Sequence, residues 1–225
     1  MPTTEIALIP LAPGTSIGNP SHPSATVLLD VARTLRQQPG FHSLHFGTSV
    51  ESPLTLQMLV DWTSLAAHEA FIASAAYGPH LQRCATIMST DTDMEGGAPQ
   101  VSHVDFETAG GLRSALGAPV TEIATFYCEG GPGGEWKGKA AEAGEWLARE
   151  AGEAGFVGAA YGVTHEEVEY KGVKGKAAVV VIGWESVEAH MSFRETQTFR
   201  ENIGLLRGEA KAIEMHHVVM MEALE

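Results

Sequence analysis

Histidine is the residue type in this sequence best suited to chemistry, because its ordinary pKa of about 6.5 lets it take up or release a proton near neutral pH. Six of the ten histidines lie in the first half of the chain: His22, His42, His45, His68, His80 and His103. The spacing disfavours a metal site, since no His-x3-His or Cys-x2-Cys pair occurs. Adjacent His216 and His217 would point to opposite faces of a strand. We therefore predict acid–base chemistry and no metal site.

Cysteine, glycine-rich and acidic motifs give weaker signals. Cys84 and Cys128 have no basic neighbour in the sequence that would favour a nucleophilic thiolate. Two cysteines also make no disulfide framework, which predicts a reduced, cytoplasmic setting. Segment 130–134 is rich in glycine but lacks a following Lys-Ser/Thr, so it is predicted to be a flexible loop rather than a phosphate-binding loop. Residues 166–169 are predicted to form a solvated acidic turn.

The charge balance limits the partners of the chain. Its 225 residues include 28 acidic residues against 14 Lys and Arg, a formal net charge of −14. Such a chain is repelled by nucleic acids and by anionic membrane surfaces, so we predict neither as a partner. No apolar run approaches the roughly 20 residues that span a bilayer, and residues 1–13 lack the basic start of a signal peptide. The hydrophobic content of 44% is ordinary for a globular protein.

The chain contains an internal repeat. Thr-Glu-Ile-Ala occurs at residues 4–7 and again at 121–124. A longer motif, Trp-x-Ser-x3-His-x2-Phe, begins at Trp62 and recurs with the same internal spacing from Trp184. Matches in the same order at nearly constant offset indicate a duplicated module. We predict two domains, residues 1–112 and 113–225.

Both copies show the same order of predicted elements. The first copy is predicted to contain strands 5–11, 41–49, 54–62 and 101–107 and helices 24–37, 64–71 and 79–88. The second is predicted to contain strands 120–128, 156–164, 177–184 and 213–222 and helices 135–151 and 186–206. Residues 108–119, with three glycines, are predicted to be the connector between copies.

The order β-α-β-β-α-β is that of the ferredoxin-like unit, whose helices cover one face of the sheet. Strand 177–184 is apolar on both faces, which requires a second covering layer. The obvious cover is the equivalent sheet of the first copy. We therefore predict an α+β fold of two tandem ferredoxin-like βαββαβ modules packed sheet to sheet as a closed barrel within one chain.

These elements and motifs resemble a known family. A Gly-Phe strand ending in Gly, followed by the strand and helix with the Trp-x-Ser-x3-His-x2-Phe motif, resembles the dimeric α+β barrel superfamily. Within it the chain is most similar to tandem antibiotic-biosynthesis-monooxygenase-like (ABM-like) proteins of the fungal type. The superfamily includes cofactor-free monooxygenases, polyketide cyclases, muconolactone isomerases and haem-degrading enzymes. The resemblance therefore implies the intramolecular dimeric α+β barrel more strongly than any one activity.

Polar residues replace apolar ones on two strands of the first copy. The pairs, first copy before second, are His42/Val157, Ser43/Gly158, His45/Ala160, Gln57/Val179 and Asp61/Gly183. Polar groups on a buried strand face are costly unless a cavity hydrates or uses them. We therefore predict the main pocket between the sheet and helices of the first copy and treat the second copy mostly as scaffold. The predicted substrate-binding residues are His42, Phe46, Gln57, Asp61, Trp62 and His103.

The resemblance also implies catalytic residues. The segment Tyr77-Gly78-Pro79-His80 resembles the one in which the polyketide cyclases carry their catalytic histidine. It implies His80 as base, with His45, His68 and Tyr77 positioning or donating. The alternatives are a surface role for His80, solvent exposure for His45 and core packing for Trp62. His68 and His103 have counterparts in His190 and His217, so the alternative for both is a structural role rather than a role in the site. For His68, that alternative places the imidazole ring against a strand carbonyl.

These features predict a cofactor-free enzyme of secondary metabolism, a monooxygenase or a cyclase or isomerase. Its substrate would be a hydrophobic aromatic or polyketide-like small molecule, and histidines would move the protons. The alternative is a barrel protein without catalysis that binds a small ligand or a partner protein. Haem binding through one histidine is a third, less favoured option. A homodimer of the two-copy chain is a further alternative.

Overall fold

The chain folds into two α+β units, each with its own antiparallel sheet and hydrophobic core. The computed structural model describes residues 2–91, 98–152 and 154–223. Module one comprises the chain up to His103 together with the segment from Met221, and module two comprises Val104–Met220. This division lies before the boundary at 112/113 that the repeat suggests, and that domain boundary stays a prediction.

The elements of module one follow the predicted order. Its strands are β1 (Thr3–Pro10), β2 (Phe41–Thr48), β3 (Thr55–Trp62) and β4 (Gln100–Val104). Its helices are α1 (Pro23–Arg36), α2 (Leu65–Ile72) and α3 (Tyr77–Ala85). Helix α2 begins where the sequence predicts, because the Ser64 side chain accepts a hydrogen bond from the backbone N–H of Ala67.

Module two contains three elements that the sequence did not indicate. Its helices are α4 (Ala109–Leu116), α5 (Trp136–Glu150), α6 (Val187–Arg194), α7 (Gln197–Asn202) and α8 (Gly204–Arg207). Its strands are β5 (Val120–Tyr127), β6 (Phe156–Val163), β7 (Val168–Tyr170), β8 (Val173–Gly175), β9 (Ala177–Trp184) and β10 (Ala212–Val218). A final short strand, β11 (Met221–Glu222), joins the sheet of module one. Helix α4 and the β7–β8 hairpin, where a connector and an acidic turn were expected, are the additions.

The strand orders confirm the ferredoxin-like topology in both modules. The sheet of module one has the order β11-β2-β3-β1-β4, and that of module two has the order β10-β5-β9-β6. Each β-α-β-β-α-β unit thus places its first and third strands at the centre. The register repeats as well, since Thr3 pairs with Trp62 in one sheet and Val120 with Trp184 in the other. Both second strands carry an irregularity in the same place, just after their first residue.

In each module the main core lies between the sheet and the helices on one face. In module one, the buried face of α1, with Val31 and Leu35, packs on alternate residues of β2 and β3, among them Leu44 and Val60. Alternation along β3 leaves Leu56, Met58, Val60 and Trp62 on this helix-covered face. The intervening residues, among them Gln57 and Asp61, lie on the opposite face. No helix in the described parts of the chain is long and apolar enough to cross a membrane.

Helix α4 replaces the predicted connector between the copies. Its two glycines disfavour a helix by propensity, but Gly111 lets the backbone approach β6 closely. A Cβ atom on Gly111 would lie 2.0 Å from the carbonyl oxygen of Ala159. The helix also packs near Gly183 of β9, and Thr121 donates a 2.9 Å hydrogen bond to the carbonyl of Ala115. Part of the second layer over the doubly apolar strand β9 therefore comes from α4, and packing against the other sheet stays a prediction.

Replacing Gly111 by Ala is expected to lower the free energy of unfolding by about 1–3 kcal/mol, measured by urea titration, because the new methyl group overpacks the contact with β6. Gly144→Ala in α5 is the control, since a Cβ at Gly144 meets nothing within 4 Å. That substitution should stabilise by up to about 1 kcal/mol through helix propensity. Stabilisation by both substitutions would contradict the close packing of α4.

Candidate functional site

A buried carboxylate and two histidines form a hydrogen-bonded cluster in module one. The indole Nε1–H of Trp62 donates to Glu5 Oε2 at 3.1 Å, and His68 Nε2 lies 3.4 Å from the same oxygen. On its other side, His68 Nδ1 lies 2.7 Å from His103 Nε2. The imidazole of His68 stacks on Trp62 with ring centroids 5.0 Å apart. We call this group of four residues the Glu–His–His cluster of module one.

The same cluster recurs in module two with nearly the same distances. Trp184 Nε1–H donates to Glu122 Oε2 at 2.9 Å, and His190 Nε2 lies 3.3 Å from that oxygen. His190 Nδ1 lies 2.7 Å from His217 Nε2, and His190 stacks on Trp184 at 4.8 Å. A chemically identical arrangement in both modules indicates that it belongs to the common architecture.

The proton positions in this cluster follow from its geometry. At 2.7 Å, either His68 Nδ1 or His103 Nε2 carries the proton that the other nitrogen accepts. With Glu5 ionised, His68 Nε2–H donates to the carboxylate, and a neutral His68 then accepts from His103. Burial raises the pKa of Glu5, while the Trp62 hydrogen bond and the charge of His103 lower it. The cluster can therefore pass a proton along His68 between Glu5 and His103.

These contacts show the surroundings of several predicted site residues, whose roles stay predictions. His68 makes its contacts with His103 and Glu5 rather than only with a strand carbonyl. Trp62 is fully buried, so in this conformation it does not offer a surface to a substrate. Glu5 and Glu122 were not among the predicted site residues. The signal was present, because the repeated Thr-Glu-Ile-Ala places a carboxylate on an apolar strand in both copies.

Most polar residues expected in the pocket lie on the other face of the sheet. Asp61 accepts hydrogen bonds from the hydroxyls of Thr4 at 2.6 Å and Ser43 at 2.9 Å. Gln57, 1% exposed, donates to the carbonyls of Ala7 and Met58.

His45 lies on that face too, because it alternates with Leu44 and Phe46 of the helix-covered core. His42 is exposed at the irregularity in β2. The expectation that His42, His45, Gln57 and Asp61 converge with His80 is therefore wrong, since the sheet separates the groups. Hydrogen bonds across strands account for the polar side chains of Gln57 and Asp61 instead.

Four residues on the helix side of module one form an aromatic and histidine cluster, which we call the His80 cluster: Phe71, Tyr77, His80 and Cys84. The imidazole of His80 packs edge-on against Phe71 at 5.2 Å and stacks with Tyr77 at 6.2 Å. Its Nε2 lies 3.9 Å from Cys84 Sγ. Its Nδ1 is buried and has no hydrogen-bond partner among the residues that the structure describes. An unpaired buried imidazole nitrogen is costly unless something else uses it.

Burial sets the protonation states in the His80 cluster. It lowers the pKa of His80, so the imidazole is neutral at pH 7 and able to accept a proton. Burial raises the pKa of Tyr77, with a further contribution from the charge of Glu5, so its hydroxyl stays a donor. The pKa of Cys84 rises to about 11 for the same two reasons. The Cys84 thiol is therefore a poor nucleophile, and Glu5 acts electrostatically on this cluster.

The cavity between sheet and helices is found in module two. A space of about 80 Å³ lies against Glu122, Trp184 and His190, with apolar walls and with Arg194 and Arg207 also lining it. A more open groove of about 350 Å³ runs between α5 and β6 past Tyr161. Space between sheet and helices therefore exists in the second copy, and its treatment as mostly scaffold stays a prediction. Its sheet leaves space where β9 and β6 carry small or slender side chains.

Module one has an open surface depression of about 580 Å³ in a different place from the predicted pocket. It lies between residues 12–15, 22–27 and 83–87, and none of the predicted site residues lines it. Arg83 on its wall already forms an ion pair with Asp30 at 2.7 Å. This depression is therefore not the site expected near His42, His45 and Asp61.

Comparisons with known proteins show a similarity to one family in the first half of the chain. Residues 25–83 match the sequence profile of the family described as antibiotic biosynthesis monooxygenase. No protein of curated function matches the sequence.

Solved structures share the fold over nearly the whole chain. An anthrone oxidase-like protein is 15% identical with a TM-score of 0.61, covering 100% of this chain and 94% of that one. A candidate monooxygenase from Fusobacterium nucleatum is 10% identical with a TM-score of 0.58, covering 97% and 92%. A candidate chlorite dismutase is 14% identical with a TM-score of 0.54, covering 99% and 95%. At these identities the likeness shows the fold alone. The resemblance found in the sequence is confirmed to this extent: residues 25–83 match the antibiotic biosynthesis monooxygenase family, and the chain as a whole shares the fold of these solved structures.

Proposed function

We propose that the protein is a cofactor-free enzyme that acts on a hydrophobic aromatic or polyketide-like molecule by histidine acid–base chemistry. The monooxygenase domain assignment supports this class of reaction. The observation that carries the proposal is the buried Nδ1 of His80, which has no hydrogen-bond partner in the described part of the chain. A neutral imidazole nitrogen in this state is available to accept a proton from a bound substrate.

The residues around His80 suit such a substrate. The half-buried ring of Tyr77 stacks with the imidazole, and flat apolar molecules pack well on aromatic rings. His80 would remove a proton from a phenol or an activated methylene group. The Tyr77 hydroxyl, kept protonated by its raised pKa, would donate a hydrogen bond to the oxyanion that forms.

The reaction after proton removal depends on the substrate. An enolate or phenolate could react directly with dioxygen, as in a monooxygenase, or close a ring, as in a cyclase. Glu5 of the Glu–His–His cluster acts electrostatically on Tyr77 and Cys84, the neighbours of His80. His45 has no part in this proposal, because it lies on the opposite face of the sheet.

The test is a panel of aromatic polyketides and hydroquinones incubated with the full chain under air and under nitrogen. We expect turnover of at least one compound, detected by absorbance and mass of the product. Turnover that needs air indicates oxygenation, and turnover in both atmospheres indicates cyclisation or isomerisation. The absence of both turnover and ligand-induced thermal shift across the panel would contradict the proposal and favour the non-catalytic alternative.

A further inference from the structure

We propose that module two contains a second ligand site, and that its ligand is a small aromatic carboxylic acid bound as the anion. The site is the cavity between the sheet and helices of module two, which we call the module-two cavity. It lies in the other repeat from His80, so the inference does not depend on the proposed catalysis in module one.

The walls of the module-two cavity are apolar and largely buried. They are formed by side chains of strands β5, β9 and β10 and of helices α5, α7 and α8, including Ala124, Phe126, Trp146, Val180, Ile182, Phe199, Ile203 and Met215. The volume of about 80 Å³ is several times the roughly 10–15 Å³ that a cavity needs to hold one water molecule, so it leaves room for a small ligand. Aromatic and aliphatic walls of this kind favour a single flat ring over a polar molecule.

Two arginines supply the charge that selects an anion. Arg194 is half-buried and Arg207 is exposed, and both line the cavity. Among the residues that the structure describes, no carboxylate forms an ion pair with either guanidinium group. In a chain of net charge −14, two cations beside one apolar cavity are a local exception. Guanidinium groups bind carboxylates through paired charge-assisted hydrogen bonds, so a carboxylate on the ring matches them.

The polar residues that line the module-two cavity determine which other substituents the aromatic ring of the ligand can have. Glu122, Trp184 and His190 line the same cavity, and the Glu122 carboxyl is 9% exposed. A hydroxyl group on the ring can donate to a carboxylate oxygen, since such an oxygen accepts more than one hydrogen bond. The ligand that fits the lining is therefore a hydroxybenzoate or a molecule of the same kind, with its carboxylate toward the arginines.

The experiment measures binding of 4-hydroxybenzoate to the full chain by calorimetry, with 4-hydroxybenzyl alcohol as the neutral analogue of the same ring. We expect a dissociation constant of about 0.1–1 mM for the acid, within the range that small ligands reach. The alcohol should bind at least about tenfold more weakly, because it lacks the charge that the arginines pair with. No binding of the acid at about 5 mM, or equal binding of the two compounds, would overturn the proposal.

Variants locate the site and test the role of the charge. The double substitution Arg194→Gln and Arg207→Gln should abolish the preference for the acid, and the fold should be retained because both side chains reach solvent. Arg200→Gln is the matched control, since Arg200 pairs with Glu195 at 3.2 Å and does not line the cavity. It should bind as the wild type does. A preference for the acid that survives the double substitution would overturn the proposed charge recognition.

A cavity-filling variant gives an independent readout. Ala124→Leu adds three carbon atoms to the wall of the module-two cavity and should abolish binding of 4-hydroxybenzoate in protein that still unfolds cooperatively. If Ala124→Leu does not fold, Ala124→Val makes the same test with a smaller side chain. Unchanged affinity in a folded variant would place the ligand elsewhere and contradict the inference. Loss of activity in the substrate panel would leave these binding results unaffected, so the two proposals fail separately.

Discussion

Replacing His80 by Ala is expected to lower turnover of the aromatic substrate about 10²–10⁴-fold, the usual contribution of a positioned acid–base group. The expected reason is loss of the imidazole Nδ1, which is buried without a hydrogen-bond partner in the described residues and is neutral at pH 7. The fold should change little, since His80 is only half-buried and lies at the edge of the aromatic cluster. Steady-state kinetics and thermal unfolding, measured on the same preparation, separate the two effects.

The pH dependence gives a second readout of the same role. Because burial lowers the pKa of His80, the base stays neutral and active to a lower pH than an ordinary histidine with a pKa of about 6.5. The kcat/KM of the wild type should therefore fall on the acid side with an apparent pKa below 6.5. His165→Ala is the control for loss of a histidine, since His165 pairs with Asp105 in module two at 3.0 Å. Full activity of the His80 variant, or an acid limb above 6.5, would refute the role of His80.

The elements of the fold follow from local sequence patterns, whereas α4 depends on a tertiary contact. Alternation along β3 and the 3.6-residue periodicity of α1 are visible without any structure. Helix α4 contains Gly110 and Gly111, which indicate a connector when only local propensity is considered. The structural value of Gly111 depends on the carbonyl of Ala159, which is distant in sequence. Helix propensity depends only on the local sequence, so it cannot indicate this contact.

The sequence repeat predicted which residues of the site are equivalent in the two modules. It did not predict their partners, which depend on the order and register of the strands. The repeated spacing indicated that His68 and His190 share one role, and the structure shows the same contacts around both. The partners could not be derived, because Glu5 and His103 come from strands that only the sheet order brings beside His68.

Asp61 illustrates the opposite error. Its charge indicated a pocket, but strand register places the hydroxyls of Thr4 and Ser43 within hydrogen-bond distance of its carboxylate. The face of the sheet to which a residue points follows from alternation alone, and that rule separated Asp61 and His45 from the helix side. The missing information was the identity of the helix-covered face, which the apolar residues Leu44, Met58 and Val60 define in the structure.

Replacing His68 by Ala is expected to lower the free energy of unfolding by about 2–4 kcal/mol. The ring makes one hydrogen bond of 2.7 Å to His103 beside the Glu5 carboxylate at 3.4 Å, and one hydrogen bond of this kind contributes about 1.5–3 kcal/mol. Its stacking on Trp62 adds about 0.5–1.5 kcal/mol. Urea unfolding at constant pH measures the sum. His42→Ala is the control, because His42 is exposed and should change stability by less than about 0.5 kcal/mol.

Because of the repeat, the same substitution can be compared in both modules of one chain. His190 makes the same contacts, at 2.7 Å to His217 and 3.3 Å to Glu122, and stacks on Trp184 at 4.8 Å. His190→Ala should therefore destabilise module two by about the same 2–4 kcal/mol. If both variants lose stability, the Glu–His–His clusters are structural supports of the two modules. If His68→Ala unfolds like the wild type, the contacts of His68 do not stabilise module one, and its burial requires a functional explanation.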